Sequence, residues 1–142
     1  MAAPKTLDLT GAVELLRTAR RIAVVGASPR PWRASNSVMR YLLDQGYECV
    51  PVTPKRDVIL GRTCYPTLEA AVSASGPFDI VDVFRRPEFT PDIARSVVAT
   101  GCGALWLQLG VVNDEAARIA DEGGVAVVMD RCTAVVHRQV SV

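Results

Sequence analysis

Arg21-Ile22-Ala23-Val24-Val25-Gly26-Ala27-Ser28 opens on one arginine, runs through four apolar residues and ends abruptly in small ones. A run without polar alternation suits a parallel strand covered on both faces. The small residues allow a tight backbone turn and leave amide N–H groups free at the start of a following helix, a place that favours anions. The match to the dinucleotide fingerprint G-x-G-x-x-G is incomplete, because Ser28 stands where the second glycine would be. What the turn does therefore depends on its surroundings.

Outward from this strand, helix-like and strand-like patterns alternate with short connections, which argues an α/β fold. Upstream, residues 10–19 carry Val13 and Leu16 at helical spacing and form an extra helix packed on the sheet. Downstream, Ser35 or Asn36 is placed to cap a helix that presents Val38, Met39, Leu42 and Leu43 and stops at Gly46. Residues 47–52 form the second strand, 53–63 a loop and 67–74 a short helix. Residues 78–84 read as the third strand, and its alternating Asp79 and Asp82 suggest an edge position with a solvated face. Thr90-Pro91 reads as a cap and first turn, with Gly101 ending that helix before a strand at 104–107. Asn113 caps the next helix, Gly123-Gly124 closes it, and residues 125–129 make the fifth strand. No element is assigned from Asp130 onward.

The 142 residues, 49% hydrophobic and 22% charged, suffice for one sizeable core, so 1–142 reads as a single doubly wound domain with 1–9 as a flexible lead. A formal net charge of +1, with Lys and Arg scattered along the chain, gives no global attraction to nucleic acid or membrane. No apolar stretch is long enough to span a bilayer and no signal-peptide core follows Met1, so a cytoplasmic location is expected. Cys49, Cys64, Cys102 and Cys132 lack C-x-x-C spacing, which argues against structural zinc and for reduced thiols.

Right-handed crossovers would bring the carboxyl ends of all five strands to one rim, where doubly wound sheets bind ligands. That rim collects Ser28 and Arg30, then Thr53, Lys55 and Arg56, then Arg85 and Arg86, then Gln108, and finally Asp130 and Arg131. A nearly neutral chain thus concentrates cations at one edge. In a dinucleotide site with an unphosphorylated ribose, an acidic residue after the second strand binds the ribose hydroxyls. Here the segment is Thr53-Pro54-Lys55-Arg56, which suits an adenosine phosphorylated on its ribose. NADP and coenzyme A both fit. A single five-strand unit without a substrate domain favours the ligand that needs only one nucleotide half.

The stretches Ile22-Ala23-Val24-Val25-Gly26-Ala27-Ser28, Tyr41-Leu42-Leu43-Asp44-Gln45-Gly46-Tyr47, Asp82-Val83-Phe84-Arg85-Arg86-Pro87-Glu88, Leu105-Trp106-Leu107-Gln108-Leu109-Gly110-Val111 and Val128-Met129-Asp130-Arg131-Cys132 together resemble the small single-domain coenzyme A-binding proteins. Those are similar to the coenzyme A-binding domain of the succinyl-CoA synthetase α subunit. The resemblance covers about residues 10–138 and implies a Rossmann-like fold holding coenzyme A along the strand ends. It sets Gly26, Ala27 and Ser28 against the diphosphate and the Thr53-Pro54 loop against the adenosine. Arg30, Lys55, Arg56, Phe84, Arg85 and Gln108 complete the expected ligand set. Where the family loop usually begins Val-Asn-Pro, this chain has Val52-Thr53-Pro54, so an asparagine amide contact is replaced.

The remaining reactive residues have plain readings. His137, the only histidine, reads as a packing or surface residue, Trp106 as core, and Phe84 as core that also borders the rim. Cys132 stands near the rim, within reach of a ligand thiol. No paired nucleophile and base can be identified. The expected function is non-catalytic binding of coenzyme A or an acyl-CoA as a carrier, sensor or regulatory module. An NADP-linked oxidoreductase, or an acyl-transfer component working with a partner chain, is the alternative. The ligand is a small molecule, and a homodimer or a partner enzyme is compatible with the sequence.

Overall fold

The computed structural model describes residues 3–140. The quoted run is β1 (Arg21–Val25), buried along nearly its whole length. It pairs in parallel with β2 (Glu48–Val52) on one side and with β5 (Ile80–Val83) on the other. β6 (Ala104–Leu107) and β7 (Ala126–Val128) extend the sheet beyond β5, giving the parallel order β2-β1-β5-β6-β7. The chain leaves β1 for β2 on one flank and later returns to β5 on the other. A crevice therefore opens at the carboxyl ends of β1 and β5, where the direction of winding reverses.

Alternation along the strands sends side chains to two apolar layers. Ile22, Val24, Ile80, Trp106 and Val128 pack under α1 (Leu9–Thr18), α2 (Ala34–Asp44) and α6 (Thr133–His137). Ala23, Val25, Val81, Val83, Leu105 and Leu107 pack under α3 (Leu68–Ser75), α4 (Thr90–Ala99) and α5 (Asp114–Glu122). Both faces are covered, as the unbroken apolar run requires.

Local chemistry sets several element boundaries. Asn113 caps α5 through the Ala116 amide at 2.8 Å, as expected, and Thr67 caps α3 through Ala70 at 3.1 Å. The expected cap of α2 is corrected. Its first turn begins at Ala34 after a loop, so Ser35 and Asn36 lie inside the helix and are buried. Asn36 instead donates through Nδ2 to the Ser28 carbonyl at 2.9 Å and straps the loop to the helix. Thr90 is likewise no cap. A 3₁₀ turn at Pro87–Phe89 precedes it, and its hydroxyl donates back to the Pro87 carbonyl at 2.7 Å.

The third predicted strand, β5, lies in the middle of the sheet and not at its edge. Asp79 is exposed and accepts the Arg20 and Arg21 amides, but Asp82 is completely buried. The alternation that suggested a wet face arises from one carboxyl held inside the core. The lead segment is tied down as well. Leu7 N–H donates to the Val127 carbonyl at 2.7 Å, Lys5 N–H donates to Asp121, and Leu7 and Leu9 pack on the core. The lead is therefore tied to β7 through Leu7 and to the end of α5 through Lys5, while residues 1–2 lie outside the described residues. The predicted loop 53–63 contains a hairpin, β3 (Val58–Ile59) and β4 (Arg62–Thr63). Leu60 and Gly61, both at positive φ, form its two-residue turn. Just beyond it, Tyr65 exchanges backbone hydrogen bonds with Pro51 and Thr53 and so covers the open edge of β2.

Candidate functional site

Gly26 follows β1 at the crevice with φ +87°, a conformation that L side chains rarely adopt. Its amide donates to the Val52 carbonyl at 3.0 Å, while Phe84 N–H donates to the Val25 carbonyl at 2.9 Å. A Cβ at position 26 would stand 3.1 Å from Arg85 Cγ and 3.3 Å from the Phe84 carbonyl carbon. The glycine thus lets three strand ends converge, and two cavities open on either side of it.

The first cavity, about 390 Å³, is lined by Gly26, Ala27, Ser28, the loop into α2, Thr53, Arg56 and Phe84. Arg30, Arg33 and Arg56 face it, and no carboxylate does. Among the described residues, ion pairs occupy only Arg17, Arg21 and Arg95, so Arg30, Arg33 and Arg56 have no acidic partner. Also among the described residues, the amides of Ala27, Ser28, Ala34 and Ser35 make no hydrogen bond within the protein. Ala34 and Ser35 form the first turn of an eleven-residue helix, whose dipole adds to the positive field. Unpaired guanidiniums and free amides at a helix start together make this a strongly positive crevice.

The second cavity, about 500 Å³, lies on the opposite face of the sheet between α3 and α4. Val25, Val52, Pro54, Leu68, Phe89 and Ile93 supply apolar walls, and Glu69 and Asp92 supply carboxylates. The Arg85 guanidinium lies 4.2 Å from the centroid of the Phe89 ring. Gly26 and Thr53 line both cavities, which makes them one trough across the sheet edge. Cationic and amide-rich at one end, it is apolar at the other.

Most of the residues expected from the sequence meet here. Gly26, Ala27, Ser28, Arg30, Thr53, Arg56 and Phe84 line the first cavity, and Pro54 and Arg85 line the second. Two do not. Lys55 is exposed, sits at φ +66° and lines neither cavity. Gln108 is buried, with Nε2 donating to Asp82 at 2.6 Å and to Thr133 Oγ1 at 2.9 Å, so it braces the core and does not face the rim trough. Arg33 went unread, although its place in the strand-to-helix loop was a signal. Glu69 of α3, Phe89 of the 3₁₀ turn, and Ile93 and Ser96 of α4 carried no sequence signal and join the site only through tertiary packing.

The reactive groups lie elsewhere. Burial pushes the Cys49 thiol up to about 12, which makes it a poor nucleophile. Burial also raises the Cys64 thiol. Desolvation lowers His137, whose Nδ1 lies 2.9 Å from the Tyr41 hydroxyl between two tyrosine rings. Among the described residues, no cysteine or histidine lines either cavity and no cluster of metal ligands forms. Nor is any helix long and apolar enough to cross a membrane among the described residues. Asp82 carries the most perturbed carboxyl. Desolvation pushes it up to about 7, against donors from Gln108 and from Thr133 at 2.9 Å.

A five-stranded parallel sheet with a cationic crevice at its winding reversal defines the class of fold as Rossmann-like. Comparison with known proteins narrows this: the profile of the CoA binding domain family matches residues 20–138, and the chain belongs to that family. YneT of Bacillus subtilis is 43% identical over 124 residues, spanning 87% of this chain and 90% of that one. The ADP-forming acetate–CoA ligase I of Archaeoglobus fulgidus is 24% identical over 127 residues, and the match spans 84% of this chain but only 18% of the ligase. Among solved structures, a protein of Pyrococcus horikoshii OT3 superposes with a TM-score of 0.88 at 34% identity over the full length of both chains.

Proposed function

We propose that the protein binds coenzyme A or an acyl-CoA across the trough and acts as a carrier or sensor without chemistry of its own. The observation that carries this reading is the set of three arginines without acidic partners, gathered around free amides at the start of α2 and adjoining an apolar cavity. The diphosphate would lie against Gly26, Ala27 and Ser28, and Arg56 beside Thr53 would take the ribose phosphate. Its fork suits a bidentate contact, whereas Lys55 is outside the trough. Cavities without cysteine or histidine suit a binding role.

Arg56 could equally meet the 2′-phosphate of NADP, so calorimetry with coenzyme A, dephospho-coenzyme A and NADP decides between the readings. Coenzyme A is expected to bind tightest, and loss of its 3′-phosphate to weaken binding about tenfold, the effect of roughly 1.4 kcal/mol. Arg56→Ala removes that difference and Lys55→Ala keeps it. Equal affinity of the wild type for the first two ligands would take Arg56 out of the site. Tightest binding of NADP would favour an oxidoreductase.

A further inference from the structure

The apolar end of the trough carries a carboxylate with a more specific use. Glu69 stands in the first turn of α3 and lines the apolar cavity, and its Oε2 accepts the Ser96 hydroxyl of α4 at 3.2 Å. That bond links the cavity's two helices and turns the carboxylate toward the α4 side of its wall. The other acid, Asp92, is bonded to Arg95 at 2.7 Å. Glu69 has no cation within 4.0 Å among the described residues, so it keeps acceptor positions open. An acceptor-only group against Pro54, Leu68 and Ile93 suits a flat ligand with apolar faces and an N–H at its edge.

We propose that the second cavity selects a 6-aminopurine, with the Glu69 carboxylate, held by Ser96, accepting a hydrogen bond from the exocyclic amine. This rests on the coenzyme A reading and adds the choice of base to it. A ribose phosphate at Arg56 leaves the base one glycosidic bond away, beside Thr53, which both cavities share. The pantetheine arm leaves from the far end of the diphosphate and so takes the other direction. A purine lacking the amine would desolvate Glu69 without offering it a donor, which is how polar sites reject an analogue.

The test titrates coenzyme A and its analogue carrying hydrogen in place of the 6-amino group against wild type, Glu69→Ala and Glu69→Gln. Glu69 is on the protein surface and alanine is a good helix former, so these variants are expected to fold. Wild type should prefer coenzyme A by about tenfold, the weight of one charge-assisted bond reduced by solvent. Glu69→Ala should bind both ligands alike, and Glu69→Gln should keep a reduced preference because its Oε1 still accepts. Equal wild-type affinities, or a full preference retained in Glu69→Ala, would overturn the base assignment while leaving coenzyme A binding intact. Failure of wild type to bind either ligand would remove both readings.

Discussion

Replacing Asp82 by asparagine should change how stability depends on pH, by an amount the structure bounds. The carboxyl is completely buried and hydrogen-bonded to Gln108 and Thr133, with no cation among the described residues paired to it. Its proton affinity rises from the ordinary 3.8 to about 7, with desolvation as the dominant cause. Each decade of proton affinity is worth about 1.4 kcal/mol, so three decades amount to on the order of 4 kcal/mol. The folded protein holds this proton in a range where the unfolded chain has released it. The stabilisation is therefore complete below about pH 4 and is lost as pH rises through about 7. Asparagine is nearly isosteric and cannot ionise. Like the protonated acid, it offers one donor and one acceptor to Gln108 and Thr133. The two proteins should thus be of similar stability near pH 4, and the variant should be the more stable near pH 8. Urea unfolding of both across that range reads out the difference, in which all other titrating groups cancel. A difference that does not change with pH would refute the reasoning.

Two further outcomes follow from the geometry. Gly26→Val puts a branched side chain at φ +87° against the Phe84 carbonyl carbon and Arg85. It should cost about 1–3 kcal/mol of stability in addition to abolishing ligand binding, and a melting temperature equal to wild type would contradict this. His137 is lowered by desolvation from 6.5, so the unfolded chain takes up its proton first and stability falls as pH drops below that value. His137→Phe should weaken this acid-side loss in the same urea series. An unchanged pH profile would place the loss with other groups.

Much of the site was legible because it follows the chain locally. An apolar run ending in Gly26-Ala27-Ser28 suits a covered strand leading into a turn, and the cations of Arg30, Arg56 and Arg85 stand just past strand ends. Lys55 and Gln108 obey the same positional rule and still fall outside the trough. Position fixes where a backbone emerges, but one residue of turn geometry at φ +66° and one buried acceptor at Asp82 decide where each side chain goes.

The sequence alone determined the α/β class, the five parallel strands, the small-residue turn after the first of them and the absence of an acid directly after the second. All of these depend on periodicity and residue type within a few positions. Only the tertiary structure decided the order β2-β1-β5-β6-β7, which moves Asp82 from an expected wet edge to the buried centre. It also decided the second cavity, where Thr53, Glu69, Arg85 and Ser96 come from four different segments of the chain. Burial and neighbourhood belong to what covers a strand, and a pattern of period two says which face a side chain takes without saying what lies on that face.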